Sequence, residues 1–96
     1  MIIEIALLYI KKNKENLFER AFEKAQKIIS KMNGYISHEL LKCMEEENKY
    51  ALLVRWNTVE DHIEGFRKNE EYTDWKNLLH HFYNPFPVVE HYQKIY

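Results

Sequence analysis

One cysteine, two glycines and two prolines are all that this chain of 96 residues holds of those types. The lone Cys43 excludes an internal disulfide and a multi-cysteine metal site, and it suits a reducing cytoplasm. So little glycine and proline argues against linkers, collagen-like repeats and a loop-rich fold. Charge of one sign is lacking too: 14 Lys and Arg against 15 Asp and Glu leave a formal charge of -1. Without a net basic field nothing holds a phosphate backbone, so nucleic acid is not an expected partner. No apolar run approaches the roughly 18 residues of a membrane span. The opening stretch MIIEIALLYIKK has no basic leader region and no small-residue cleavage site, so it is expected to belong to the fold rather than to a signal peptide. Missing as well are HExxH, CxxC, a phosphate-binding glycine loop and a GxSxG elbow. The five histidines lack metal-ligand spacing, so no metal site is expected.

What the chain does have is aromatic side chains. Seven Tyr, five Phe and two Trp make 15% of it, a load of which part is expected to line a pocket or an interface. A hydrophobic share of 46% against 30% charged is that of a globular chain, not a disordered one. The length predicts one domain over residues 1–96, with a small core.

Residues Ile2 to Ile10 read as a strand covered on both sides. Ile3, Ile5, Leu7 and Tyr9 alternate on one face, Ile2, Ala6, Leu8 and Ile10 on the other, and only Glu4 interrupts. The period then changes. Leu17, Phe18, Ala21, Phe22, Ala25, Ile28, Ile29 and Met32 recur at helical spacing, with charged residues between them. Asn16 followed by Glu19 looks like a capping box, and Asn33-Gly34 supplies a left-handed stop. Tyr35 to Met44 and Lys49 to Trp56 read as strands joined through the acidic turn Glu45 to Asn48. On the latter, Tyr50, Leu52, Val54 and Trp56 share one face, and Ala51, Leu53 and Arg55 the other. Thr58 with Asp61 opens a second helix. Gly65 weakens it and Asn69-Glu70-Glu71 offers a fresh start, so two pieces are expected. The second carries Tyr72, Trp75, Leu78, Leu79 and Phe82. Tyr83-Asn84-Pro85-Phe86-Pro87 ends it, and Val88 to Tyr96 is a last strand.

The order β-α-β-β-α-β predicts an α+β, ferredoxin-like fold: a four-stranded antiparallel sheet with both helices on one face. Two helices shelter one side of such a sheet, yet the first and third strands are apolar on both. A soluble monomer rarely exposes a contiguous apolar face. A twofold homodimer in which two such faces meet is therefore expected.

The stretch LVRWNTVEDHIEGFR (residues 53–67), the stretch YTDWKNLLHHFY (residues 72–83) and the tail PVVEHY (residues 87–92) resemble the antibiotic biosynthesis monooxygenase superfamily. The resemblance covers nearly the whole chain. It implies a dimeric α/β barrel of two ferredoxin-like chains, the last strand reaching toward the partner. It also implies one of two chemistries. One is oxidation of phenols or hydroquinones by molecular oxygen without metal or flavin. The other is haem degradation, for which relatives carry an Asn, a Trp and a His that fall here near Ala6 or Leu7, Phe66 and Lys76. None is retained, so the first chemistry is expected, with no cofactor. Quinol-oxidising relatives place a histidine near Gly65–Phe66; here the nearby one is His62.

The expected catalytic residues are accordingly histidines. His62 is placed to take a phenolic proton, since imidazole titrates near neutral pH. His80 and His81 close the long helix and point about 100° apart, so they do not share a metal, and one of them, taken as His81, is expected in the pocket. His91 falls on the opposite face of the last strand from Glu90 and Tyr92. Trp56, Phe66, Tyr72, Trp75 and Phe82 are expected to form an aromatic wall for a small planar ligand, with Arg55 pairing a ligand carboxylate or phenolate, a role open to Arg67 as well. A bland reading stands beside each: surface or helix-end histidines, core aromatics, surface ion pairs. For the whole chain, the alternative is a non-catalytic small-molecule binder or a structural dimer of the same fold.

Overall fold

A computed structural model describes all 96 residues. The apolar opening segment forms β1 (Ile2–Tyr9), and it lies inside the sheet because both of its faces are too greasy for an edge. The helix α1 spans Glu15–Ile29 and buries Phe18, Phe22, Ala25 and Ile29. Asn16 does not cap it. Asn13 adopts a left-handed conformation (φ 65°), so the chain turns early, the helix begins at Glu15, and Lys14 sits at the cap without a side-chain bond. Leu17 is half-exposed, just off the buried stripe.

The strands β2 (Tyr35–Lys42) and β3 (Lys49–Trp56) form the expected hairpin. A bulge between Tyr35 and Ser37 leaves Ile36 unpaired. On β3, Tyr50, Leu52, Val54 and Trp56 are all buried. A capping box does form at the next helix start: Asp61 N–H donates to Thr58 Oγ1 (3.2 Å) and Thr58 N–H to the Asp61 carboxylate (3.1 Å). That cap sits on Gly34, whose φ of +83° suits glycine; a Cβ there would fall 2.1 Å from the Asp61 side chain.

The second helix is broken, as Gly65 suggests, but its first piece is a π-helical turn over Asp61–Phe66. The helix α2 (Tyr72–Leu79) follows and tightens into a single 3₁₀ turn at His80–Phe82. The last strand, β4 (Val89–Tyr92), is shorter than expected. The sheet is antiparallel, in the order β2-β3-β1-β4, so the chain has the ferredoxin-like α+β fold. No helix is long and apolar enough to cross a membrane.

All of the buried apolar core lies between the helices and one sheet face, where Ala6, Leu8, Leu52, Val54 and Trp56 meet Phe18, Phe22, Phe66, Trp75 and Leu79. The opposite face carries Ile3, Ile5, Leu7, Ala51, Leu53, Leu41 and Tyr92, paired across strands. Of these Leu7, Leu41 and Tyr92 are nearly half-exposed. The Arg55–Glu39 pair (2.8 Å) sits among them.

Candidate active site

The one acid of β1 lies on the buried face. Glu4 is 6% exposed and pairs across the sheet with His91 of β4. Period two then puts Glu4 and His91 on the helix side, since each residue's neighbours along its strand point the other way. The indole N–H of Trp56 donates to Glu4 Oε1 at 2.9 Å. The His62 ring stacks on the Trp56 indole, with centroids 5.5 Å apart and planes 19° from parallel. This holds His62 Nε2 at 3.4 Å from the same Glu4 oxygen. On its other side His62 Nδ1 lies 2.8 Å from His91 Nε2. A carboxyl and two imidazoles thus form a continuous chain from a buried point to the half-buried His91. Both protein contacts fall on Oε1, which leaves Glu4 Oε2 for a molecule in the adjoining cavity.

That cavity is about 430 Å³, within the range of small-ligand sites. Glu4, Ala6, Leu8 and Leu52 form its sheet side. His62, Phe66, Arg67, Tyr72, Trp75 and His80 line it from the helices, and Tyr83, Phe86, Pro87 and Val89 from the segment entering β4. Phe66 meets Tyr72 and Trp75 edge to face, at 5.0 and 5.4 Å, so the wall is set by packing.

Burial governs the titration of the whole group. It raises the Glu4 carboxyl from 4.5 to about 7, against the opposing pull of the Trp56 N–H and the Arg67 charge. It lowers His62 from 6.5 to about 3, helped by the Arg67 and His91 charges, so His62 is neutral at physiological pH. The 3.4 Å approach of Glu4 and His62 is therefore a contact with a neutral ring rather than an ion pair. His91 and His80 are lowered as well, and Tyr72 and Tyr83 raised, in each case chiefly by burial. No group of three or more His, Cys, Asp or Glu side chains is placed to hold a metal ion; His62 directs its two nitrogens to different neighbours.

Of the residues expected from sequence, His62 and His91 come together, and Phe66, Tyr72 and Trp75 line the cavity. Trp56 is wholly buried behind Glu4 and acts as a donor, not as wall. Three others lie elsewhere. His81 is exposed with its ring against Phe82, because the 3₁₀ turn shifts the helical phase and brings His80 to the cavity instead. Phe82 is in the core against Phe18. Arg55 points from the other sheet face, as alternation along β3 requires, and is held by Glu39. Glu4 and Tyr83 were not expected, and of the pair His80–His81 it is His80 that lines the cavity. Glu4 had a signal: a single acid in an otherwise apolar strand must be either a packing defect or a functional group.

The sequence profile of the antibiotic biosynthesis monooxygenase family matches residues 1–78. An uncharacterised protein of Bacillus subtilis (strain 168), YczJ, is 59% identical over 95 residues, covering 99% of this chain and all of that one. A Bordetella bronchiseptica structure named for the same family superposes with a TM-score of 0.94 at 28% identity, over 99% of this chain and 97% of that one. SnoaB, a cofactor-independent oxygenase from Streptomyces nogalater, shares the fold at 12% identity, with a TM-score of 0.86 over 99% and 93% of the two chains. The profile covers most of the chain and the fold agrees with it: the chain belongs to the antibiotic biosynthesis monooxygenase family.

Proposed function

We propose that this protein is a cofactor-independent monooxygenase of a small phenolic or quinol-type aromatic, working as a homodimer with one cavity in each subunit. The observation that carries this reading is the Glu4 carboxyl, poised near neutral pH at the inner end of an aromatic cavity and backed by two neutral histidines. A general base is most effective when its pKa lies near the working pH.

In the proposed reaction the ring lies among Phe66, Tyr72 and Trp75 with one hydroxyl on Glu4 Oε2. Glu4 takes the phenolic proton. The phenolate passes one electron to dioxygen, and the phenoxyl radical and superoxide join in a new bond between a ring carbon and oxygen. The peroxide then loses water: Glu4 returns the phenolic proton to the distal oxygen, the ring C–H proton passes to the same oxygen, and as the O–O bond breaks the C–H electron pair becomes the new C=O bond. Phenol plus dioxygen gives quinone plus water, and the substrate supplies all four electrons that dioxygen takes up, so no other reductant is required. Neutral His62 suits this exchange. With Glu4 protonated, its Nε2 accepts and its Nδ1–H donates to His91; with Glu4 ionised, the tautomers reverse. Each setting keeps the 2.8 Å hydrogen bond between the two histidines.

The homodimer rests on the apolar sheet face opposite the helices, which a partner face of the same kind would cover. The test of the reaction is oxygen uptake with a panel of hydroquinones and phenols in chelator-treated buffer. One dioxygen consumed per quinone formed is expected, with His62→Ala at least tenfold slower. Ring binding without any uptake would instead establish a binding protein, and the proposed chemistry would fall.

A further inference from the structure

Arg67 lines the cavity, yet it makes no ion pair. Its neighbours in kind behave otherwise: Arg55 holds Glu39 at 2.8 Å, and Lys68, the next residue, holds Glu64 at 2.6 Å. Its placement follows from the backbone. On a regular α-helix, positions 62 and 67 would point roughly 140° apart. Here Arg67 N–H bonds back to His62 C=O at 3.0 Å, a bond across five residues that widens the turn and lets both side chains line one cavity. Such single π-turns are frequent at functional sites.

The charge balance of the cavity gives this placement a consequence. His62 and His80 are held neutral by burial. Glu4 is the only acid in the lining; its carboxyl is engaged by Trp56 and lies beside His62, and no carboxylate of the chain pairs with the Arg67 guanidinium. We propose that the substrate is an aromatic acid, a phenol or quinol bearing a carboxylate, and that Arg67 receives that carboxylate at the cavity mouth while the ring hydroxyl meets Glu4. A guanidinium presents a planar fork that matches a carboxylate two bonds at a time. One guanidinium balances the single charge of a carboxylate; a phosphate dianion would keep a charge unmatched among the aromatic walls. Arg67 is thus a specificity-determining residue of the reaction proposed above, and this inference rests on that reading.

The two are separable by binding alone. Under argon, 2,5-dihydroxybenzoate and its methyl ester present the same ring with and without the charge, and Trp75 in the cavity wall reports their binding by its fluorescence. The acid is expected to bind at least tenfold more tightly than the ester, a preference of about 1.4 kcal/mol, which shrinks with added salt. Arg67→Gln is expected to abolish the preference by weakening the acid alone, and Arg67→Lys to keep part of it. Acid and ester binding equally to the native chain, or Arg67→Gln weakening both to the same degree, would overturn the role of Arg67 and leave the cavity reading standing. Binding of neither ring would overturn that reading and this inference with it.

Discussion

Glu4→Gln is expected to turn over at least a hundredfold more slowly than the native chain and, above pH 7, to be the more stable of the two. The first effect is the loss of a positioned base, which contributes typically 10²–10⁴-fold. An amide has the shape of the carboxyl and still accepts the Trp56 N–H, so the cavity keeps its form. The second effect follows from burial. Moving the Glu4 carboxyl from 4.5 to about 7 corresponds to about 3 kcal/mol at about 1.4 kcal/mol per unit. The folded chain holds a proton that the unfolded chain releases, so stability is full below pH 4.5 and falls as the pH rises through 7. Above that window the native chain keeps an ionised carboxylate in an apolar site; the glutamine chain does not. Chemical denaturation at pH 8 is expected to favour the variant by on the order of 3 kcal/mol, with the two chains converging near pH 4.5. A separate acid limb belongs to His62, whose folded pKa is depressed from 6.5 to about 3. Its contribution is present above 6.5 and is lost as the pH falls, and the glutamine variant retains that limb. Equal stability of the two chains at pH 8 would show that Glu4 is not held in a destabilising environment.

A charge on the open sheet face has the other large expected effect. Leu53 and Leu7 stand on that face with Ile3 and Ile5 of β1. A standard interface buries roughly 800 Å² from each partner, and apolar area is worth about 25 cal/mol per Å². Leu53→Glu places an unpaired carboxylate at the centre of such an interface. Sedimentation at micromolar concentration is expected to show the native chain at twice its 11.8 kDa and Leu53→Glu as a folded single chain. A native chain that sediments as a monomer would remove the homodimer.

The residues that were legible in the sequence are those whose environment is set locally. Alternation along Lys49–Trp56 separates the two faces of β3, and the buried residues Tyr50, Leu52, Val54 and Trp56 follow it. Gly65 marks the break in the second helix. The site is different because its geometry is non-local. Glu4 meets His91 only because β1 and β4 pair across most of the chain's length, and a period-two reading treats a single acid as an interruption. The exchange of His81 for His80 comes from one 3₁₀ turn, and the direction of Arg67 from one π-turn. Both change helical phase by less than a full turn, which apolar spacing does not register. Sequence marks Trp56 as part of an aromatic wall, whereas its burial at the end of β3 leaves the indole N–H as its useful part.

The titration of Glu4 itself is the most direct test, because it needs no substrate. In a chain labelled with carbon-13 at the glutamate carboxyls, one resonance is expected to titrate with a midpoint near 7 and to be absent from Glu4→Gln. Midpoints between about 4 and 5 for every glutamate would contradict it, and the cavity would then hold an ordinary ionised carboxylate with no base poised at neutral pH.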